Sequence, residues 1–189
     1  MSNLEGVKFE RFNQYIHGYH VEGLHDKISK FKEEILKDYW KDKEELFKMD
    51  SYNTPLRNWE LRTNLNKLCF NIVRHYYSVD EGWSNSNFGI YVQTKDSYKN
   101  LFHHHYNSCT ITCTFYIDPP KHEEAGALEL MMDNAKAFSL QPEKDFIYLF
   151  PAWISHRPTP HTSDIERVCF NWGYDCLQRP VHKLIGDRW

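Results

Sequence analysis

The chain has 189 residues, of which 41% are hydrophobic and 16% aromatic, enough to fill the core of one domain and too few for two. A formal charge of -3 leaves no basic footprint for nucleic acid. No stretch approaches the roughly 18 apolar residues of a membrane span.

The N-terminus, Met1-Ser2-Asn3-Leu4-Glu5, lacks the basic start and apolar run of a secretory signal, so a cytoplasmic protein is expected. Next comes an aromatic segment with Phe12, Tyr15, His17, Tyr19 and His20, read as packing against the domain, with a substrate lid as the alternative. From Gly23 to Phe47 the apolar residues Leu24, Ile28, Phe31, Ile35, Tyr39 and Leu46 recur at spacings of four and three, which predicts a helix. The run Lys41-Asp42-Lys43-Glu44-Glu45 reads as its solvated face. Ser51 to Pro55 is a loop by composition, and a second helix is predicted over Asn64–Ser78 from Leu65, Leu68, Cys69, Ile72, Val73 and Tyr76.

After about residue 84 the period changes to two. Strands are predicted over Phe88–Gln93, Cys109–Ile117, Ala127–Met132, Ala135–Leu140, Phe146–Phe150 and Glu166–Tyr174, separated by turn chemistry such as Asp118-Pro119-Pro120. Short strands at this spacing suggest a mainly β fold, a sandwich or jelly roll, with N-terminal helices over one outer face. A single domain over 1–189 is expected, with a helical part over about 1–80 and a jelly-roll core over about 84–175. The five cysteines include no CxxC pair and are odd in number, which argues against both a zinc ribbon and a disulfide framework.

Three histidines carry the candidate chemistry. In an extended segment His103 and His105 project to one face and His104 to the other, so the outer two can share a metal ion. His156 lies just past an apolar strand, and jelly rolls place strands far apart in sequence side by side. Imidazole suits Fe, Zn, Cu and Ni alike, so ligand type alone does not choose the metal.

The segment Phe150-Pro151-Ala152-Trp153-Ile154-Ser155-His156-Arg157-Pro158-Thr159-Pro160, with Arg167 eleven residues after His156 and Phe170-Asn171 closing the next strand, resembles Fe(II)/2-oxoglutarate-dependent oxygenases of the bacterial and phage type. The early half agrees: His103-x-His105, Ser108, Phe115-Tyr116 and Gly126-x-Leu128 stand in order, so the resemblance covers about residues 83–174. It implies a double-stranded β-helix (jelly roll, cupin-like), mainly β with N-terminal helices, and Fe(II) on His103, His105 and His156. Arg167 would take the far carboxylate of 2-oxoglutarate, a task suited to a planar bidentate fork. Position 105 holds His where the wider superfamily has Asp or Glu. Asn171 and Tyr91 are read as polar contacts to the cosubstrate, with a structural role as the alternative. The activity implied is a dioxygenase that hydroxylates a small-molecule or peptide substrate. Two alternatives stay open: a cupin-like three-histidine iron dioxygenase independent of 2-oxoglutarate, and a non-catalytic metal-binding jelly roll. Glu129 is expected to face outward from its strand, and His161 to be solvent-exposed in a polar loop.

Overall fold

The structure is a computed structural model. It describes residues 7–12, 15–45, 53–54, 56–77, 83–95, 101–117, 119, 121, 126–132 and 135–176. The alternation read after residue 84 produces two facing sheets. The larger has seven strands in the order β1-β2-β8-β5-β10-β4-β3: β1 Val7–Arg11, β2 His17–Val21, β3 Asn53–Thr54, β4 Trp83–Gln93, β5 Ile111–Ile117, β8 Phe146–Pro151 and β10 Arg167–Cys176. The smaller has three in the order β7-β6-β9: β6 Leu128–Met131, β7 Ala137–Leu140 and β9 His156–Pro158. All the strand pairs are antiparallel. The fold is a double-stranded β-helix.

The centre of the large sheet is buried on both faces, which is why every described side chain of β5 is inaccessible. Outward-facing Cys113, Phe115, Ile147, Leu149, Val168 and Phe170 form one core with the helices. Inward-facing Tyr116, Tyr148, Phe150 and Cys169 meet Leu128, Leu130 and Leu140 of the small sheet in a second. A one-residue slip of β10 would turn Val168 and Phe170 inward and bring Arg167, Cys169 and Asn171 to the helix-covered face, so burial fixes its register.

Three helices cover the outer face: α1 Leu24–Ile28, α2 Lys32–Glu45 and α3 Trp59–Tyr77. The single helix expected from Gly23 is interrupted by a 3₁₀ turn at Ser29–Phe31, and its final residues, Leu46 and Phe47, lie outside the described residues. Helix α3 starts five residues before the periodicity suggested. Asn58 Oδ1 accepts a 3.0 Å hydrogen bond from the Leu61 amide and satisfies a donor at the helix start. On the charged run, Asp42 is 4% exposed and pairs with Arg57, so it ties α2 to the segment before α3 and does not belong to a solvated face. Of the expected loop at residues 51–55, Asn53–Thr54 forms β3 and the rest lies outside the described residues.

The aromatic N-terminus adopts strands. β1 and β2 form a hairpin that extends the large sheet through β8, and Phe12 and Ile16 between them turn into the barrel. Gly18 permits this: a Cβ there would lie 2.5 Å from Phe12 Cε2 and 3.0 Å from Phe146 Cδ1. One half of the barrel interior is thus filled by Phe12, Ile16, Phe146 and Tyr148. Among the described residues, no helix is long and apolar enough to cross a membrane.

Candidate metal centre

The other half of the interior is hollow. A cavity of about 270 Å³ is walled by β4, β5 and β10 on one side and by β6, β9 and the segment before β5 on the other. His103, His105, His156, Arg167, Asn171 and Tyr91 all line it.

Backbone pairing makes the histidine cluster. His103 and His156 exchange both main-chain hydrogen bonds, His103 N to His156 O at 3.0 Å and His156 N to His103 O at 2.8 Å. Directly opposed residues of an antiparallel pair project to the same face, so their rings must meet. Two residues on, the His105 amide donates to Ala152 O at 2.8 Å, and the His105 carbonyl accepts from the Ser108 and Cys109 amides. Both chemically active segments are therefore fixed by main-chain bonds before any ligand arrives. Ring centroids lie 4.4 Å apart for His103–His156, 5.0 Å for His105–His156 and 5.1 Å for His103–His105. One nitrogen from each ring lies within 4.8 Å of the others, a spacing that fits a single metal ion. His104 is exposed, with its ring against Tyr106, and takes no part in the cluster.

The donor chemistry also fits. His156 Nδ1 is 2.9 Å from the Ile154 carbonyl. A carbonyl only accepts, so Nδ1 carries the proton and Nε2 presents its lone pair, as metal-binding histidines are commonly arranged. Burial, with the neighbouring His103 adding to it, lowers the His156 pKa to about 3, and burial lowers that of His105 to about 4. Both rings are held in the neutral form that ligates metal.

Arg167 is only 2% exposed. Nη1 donates to Gln93 Oε1 at 2.8 Å, and the guanidinium lies over the Tyr116 ring at 4.6 Å. Nε is buried without a hydrogen-bond partner, and among the described residues no carboxylate pairs with the cation. A buried charge without a counter-ion is costly, and its position on the cavity wall suits the cavity chemically to an anion. Asn171 Oδ1 accepts from Cys169 Sγ at 3.4 Å, and Tyr91 stands opposite Cys169 across the β4–β10 pair.

Three other residues show what the sequence did and did not reveal. Glu129 faces away from the cavity as expected, and accepts from Arg157 Nε at 2.7 Å, its cross-strand partner on β9. His161, expected to be exposed, is 1% exposed; its Nε2 donates to Ile165 O at 2.6 Å, so it staples the loop leading to Arg167. Gln93, fully buried behind Arg167, was not singled out from the sequence. Its signal was a polar residue on the inward parity of β4, two positions after Tyr91 and out of phase with apolar Ile90 and Val92.

No protein-family model matches the sequence, and no curated protein matches it significantly. Solved structures do match the fold. A prolyl hydroxylase from Trichoplax adhaerens, in complex with a hypoxia inducible factor oxygen degradation domain peptide, aligns at TM-score 0.63 and 12% identity, covering 92% of this chain and 85% of that one. The viral collagen prolyl hydroxylase of Paramecium bursaria Chlorella virus-1, as its 2OG complex, aligns at TM-score 0.60 and 11% identity, covering 86% and 96%. A Burkholderia pseudomallei protein described as of the 2OG-Fe(II) oxygenase family aligns at 0.54 and 12%, covering 67% and 64%. The chain shares with these structures the double-stranded β-helix fold. The likeness is one of architecture, with few identical residues.

Proposed function

We propose that the protein is an Fe(II)- and 2-oxoglutarate-dependent dioxygenase that hydroxylates a small-molecule or peptide substrate. The observation that carries this reading is the coexistence, in one cavity, of three convergent imidazoles and a buried arginine with an unpartnered Nε. In the alignments, the viral enzyme is a 2OG complex and the Burkholderia protein carries the 2OG-Fe(II) name, which supports the same reaction class. The peptide held by the Trichoplax enzyme supports a peptide as one substrate type.

His103, His105 and His156 would hold the iron, each offering one ring nitrogen, Nε2 in the case of His156. Arg167 binds and orients the far carboxylate of the cosubstrate with a charge-assisted pair of hydrogen bonds. Asn171 and Tyr91 offer polar contacts along the wall between them, while Leu128, Pro158 and Tyr116 exclude water. Bound iron and cosubstrate supply oxygen activation, with 2-oxoglutarate converted to succinate and CO2 as the substrate gains a hydroxyl group. The chain contributes placement and a dry pocket.

The three-histidine reading without 2-oxoglutarate has one observation in its favour: among the described residues no carboxylate joins the cluster. In that reading Arg167 is dispensable or binds the substrate. Addition of Fe(II) and then 2-oxoglutarate without oxygen should give a visible metal-to-ligand charge-transfer band, lost in both His156→Ala and Arg167→Ala. Iron binding with no response to 2-oxoglutarate would leave the three-histidine reading standing instead. A protein that takes no iron would be a structural jelly roll.

A further inference from the structure

Gln93 stands directly opposite Arg167 in the β4–β10 register and is fully buried. Its amide has a determined orientation. Nε2 donates to the Thr159 carbonyl at 2.9 Å, and a carbonyl oxygen cannot donate in return. The Oε1 end must therefore face Arg167, where it accepts from Nη1 at 2.8 Å. Thr159 is itself fixed, since its amide donates to Ala127 O at 2.9 Å at the end of the small sheet. A chain of hydrogen bonds thus runs from the small sheet through Thr159 and Gln93 to the guanidinium on the large sheet. It occupies one donor of the fork and, among the described residues, leaves Nε turned to no acceptor.

The partner's charge matters as much as its position. A carboxylate at this place would hold Arg167 equally well, but it would neutralise the cation and turn an oxygen lone pair toward the Thr159 carbonyl. An amide holds the fork in place and leaves its positive charge available.

From this we infer that Gln93 is a positioning residue that gives the cavity its selectivity for a 2-oxo acid with a distal carboxylate. The inference rests on the function proposed above. Gln93 does not line the cavity and touches no ligand; it acts through Arg167.

The test compares 2-oxoglutarate with 2-oxopentanoate, which has the same chain length and a methyl group in place of the distal carboxylate. Each is titrated without oxygen into the Fe(II)-loaded full chain, and the charge-transfer band gives the affinity. The wild type should prefer 2-oxoglutarate strongly. In Gln93→Glu that preference should collapse, with 2-oxoglutarate weakened about a hundredfold or more and 2-oxopentanoate little changed. In Gln93→Met, which keeps the volume but frees the guanidinium, 2-oxoglutarate should weaken by about ten- to a hundredfold, the scale of one hydrogen bond to a charged group. A merely structural role for Gln93 would lower both affinities, or the folded fraction, together and leave their ratio intact. An unchanged ratio in Gln93→Glu overturns the inference while leaving the proposed function standing. A wild type that shows no band with either acid overturns the function, and this inference with it.

Discussion

Replacing Arg167 and Gln93 together by methionine should make the metal-free protein more stable while destroying its anion site. Arg167 is almost wholly buried, and after relaxation the penalty for taking such an ion out of water is several kcal/mol. Against it stand one charge-assisted hydrogen bond to Gln93, worth about 1.5–3 kcal/mol, and one contact with the Tyr116 face, worth about 2 kcal/mol when desolvated. The double substitution also deprives the Thr159 carbonyl of its donor, at about 1 kcal/mol. These terms nearly cancel, so the burial of two methionine side chains decides the balance and favours the variant by about 1–3 kcal/mol, within the roughly 1–4 kcal/mol gained when buried ionic groups give way to apolar ones of similar volume. For a chain of this size each kcal/mol raises the melting midpoint by about 2–4 °C. Arg167→Met alone should gain less, because it leaves Gln93 Oε1 buried without a donor. The measurement is equilibrium urea unfolding of metal-free protein in a buffer free of carboxylates. Adding 2-oxoglutarate should then stabilise the wild type and leave the double variant unmoved. A double variant less stable than wild type by more than about 1 kcal/mol would refute the reasoning, since Arg167 would then be a compensated, stabilising part of the core.

Three further outcomes follow from other parts of the molecule. His103→Ala and His156→Ala should each lower metal affinity by more than the roughly 10–100-fold that loss of an outer partner costs, while His104→Ala leaves it unchanged; metal titration reads all three. Gly18→Ala should cost about 1–3 kcal/mol in urea unfolding, because the new methyl group displaces the Phe12 ring from its place against Phe146 and Tyr148. His17 should make stability fall with acid. Burial, reinforced by Arg11, lowers its pKa to about 4 in the folded state, against 6.5 in the unfolded chain. Above pH 6.5 both states are neutral and there is no effect; between 6.5 and 4 only the unfolded state gains the proton, and the loss saturates below about 4 at no more than about 3 kcal/mol. His17→Gln should flatten that part of the stability–pH curve.

Where local periodicity and final burial coincide, the sequence was a good guide. Strands β5, β8 and β10 alternate between two buried faces, so their apolar and aromatic residues stand out whichever face is considered. The strands β1, β2 and β9 were not legible, because each is short and is a strand only through its neighbours: β2 through β8, and β9 through β6. His161 and Asp42 were read as exposed because polar neighbours surround them in sequence. In the fold, long-range packing buries both, and Ile165 O and Arg57 supply their partners.

The His103-x-His105 spacing, the position of His156 after an apolar strand, and Arg167 eleven residues beyond it are properties of the sequence alone, and they sufficed to name four cavity-lining residues, with Asn171 and Tyr91 as two further candidates. Tertiary structure decided the rest. It opposed His103 to His156 through a reciprocal pair of backbone bonds, buried Arg167 with no counter-charge among the described residues, and placed an amide behind it. Alternation along a strand tells which residues share a face; only the pairing of strands remote in sequence determines what that face looks onto, and therefore which charges are left for a ligand to neutralise.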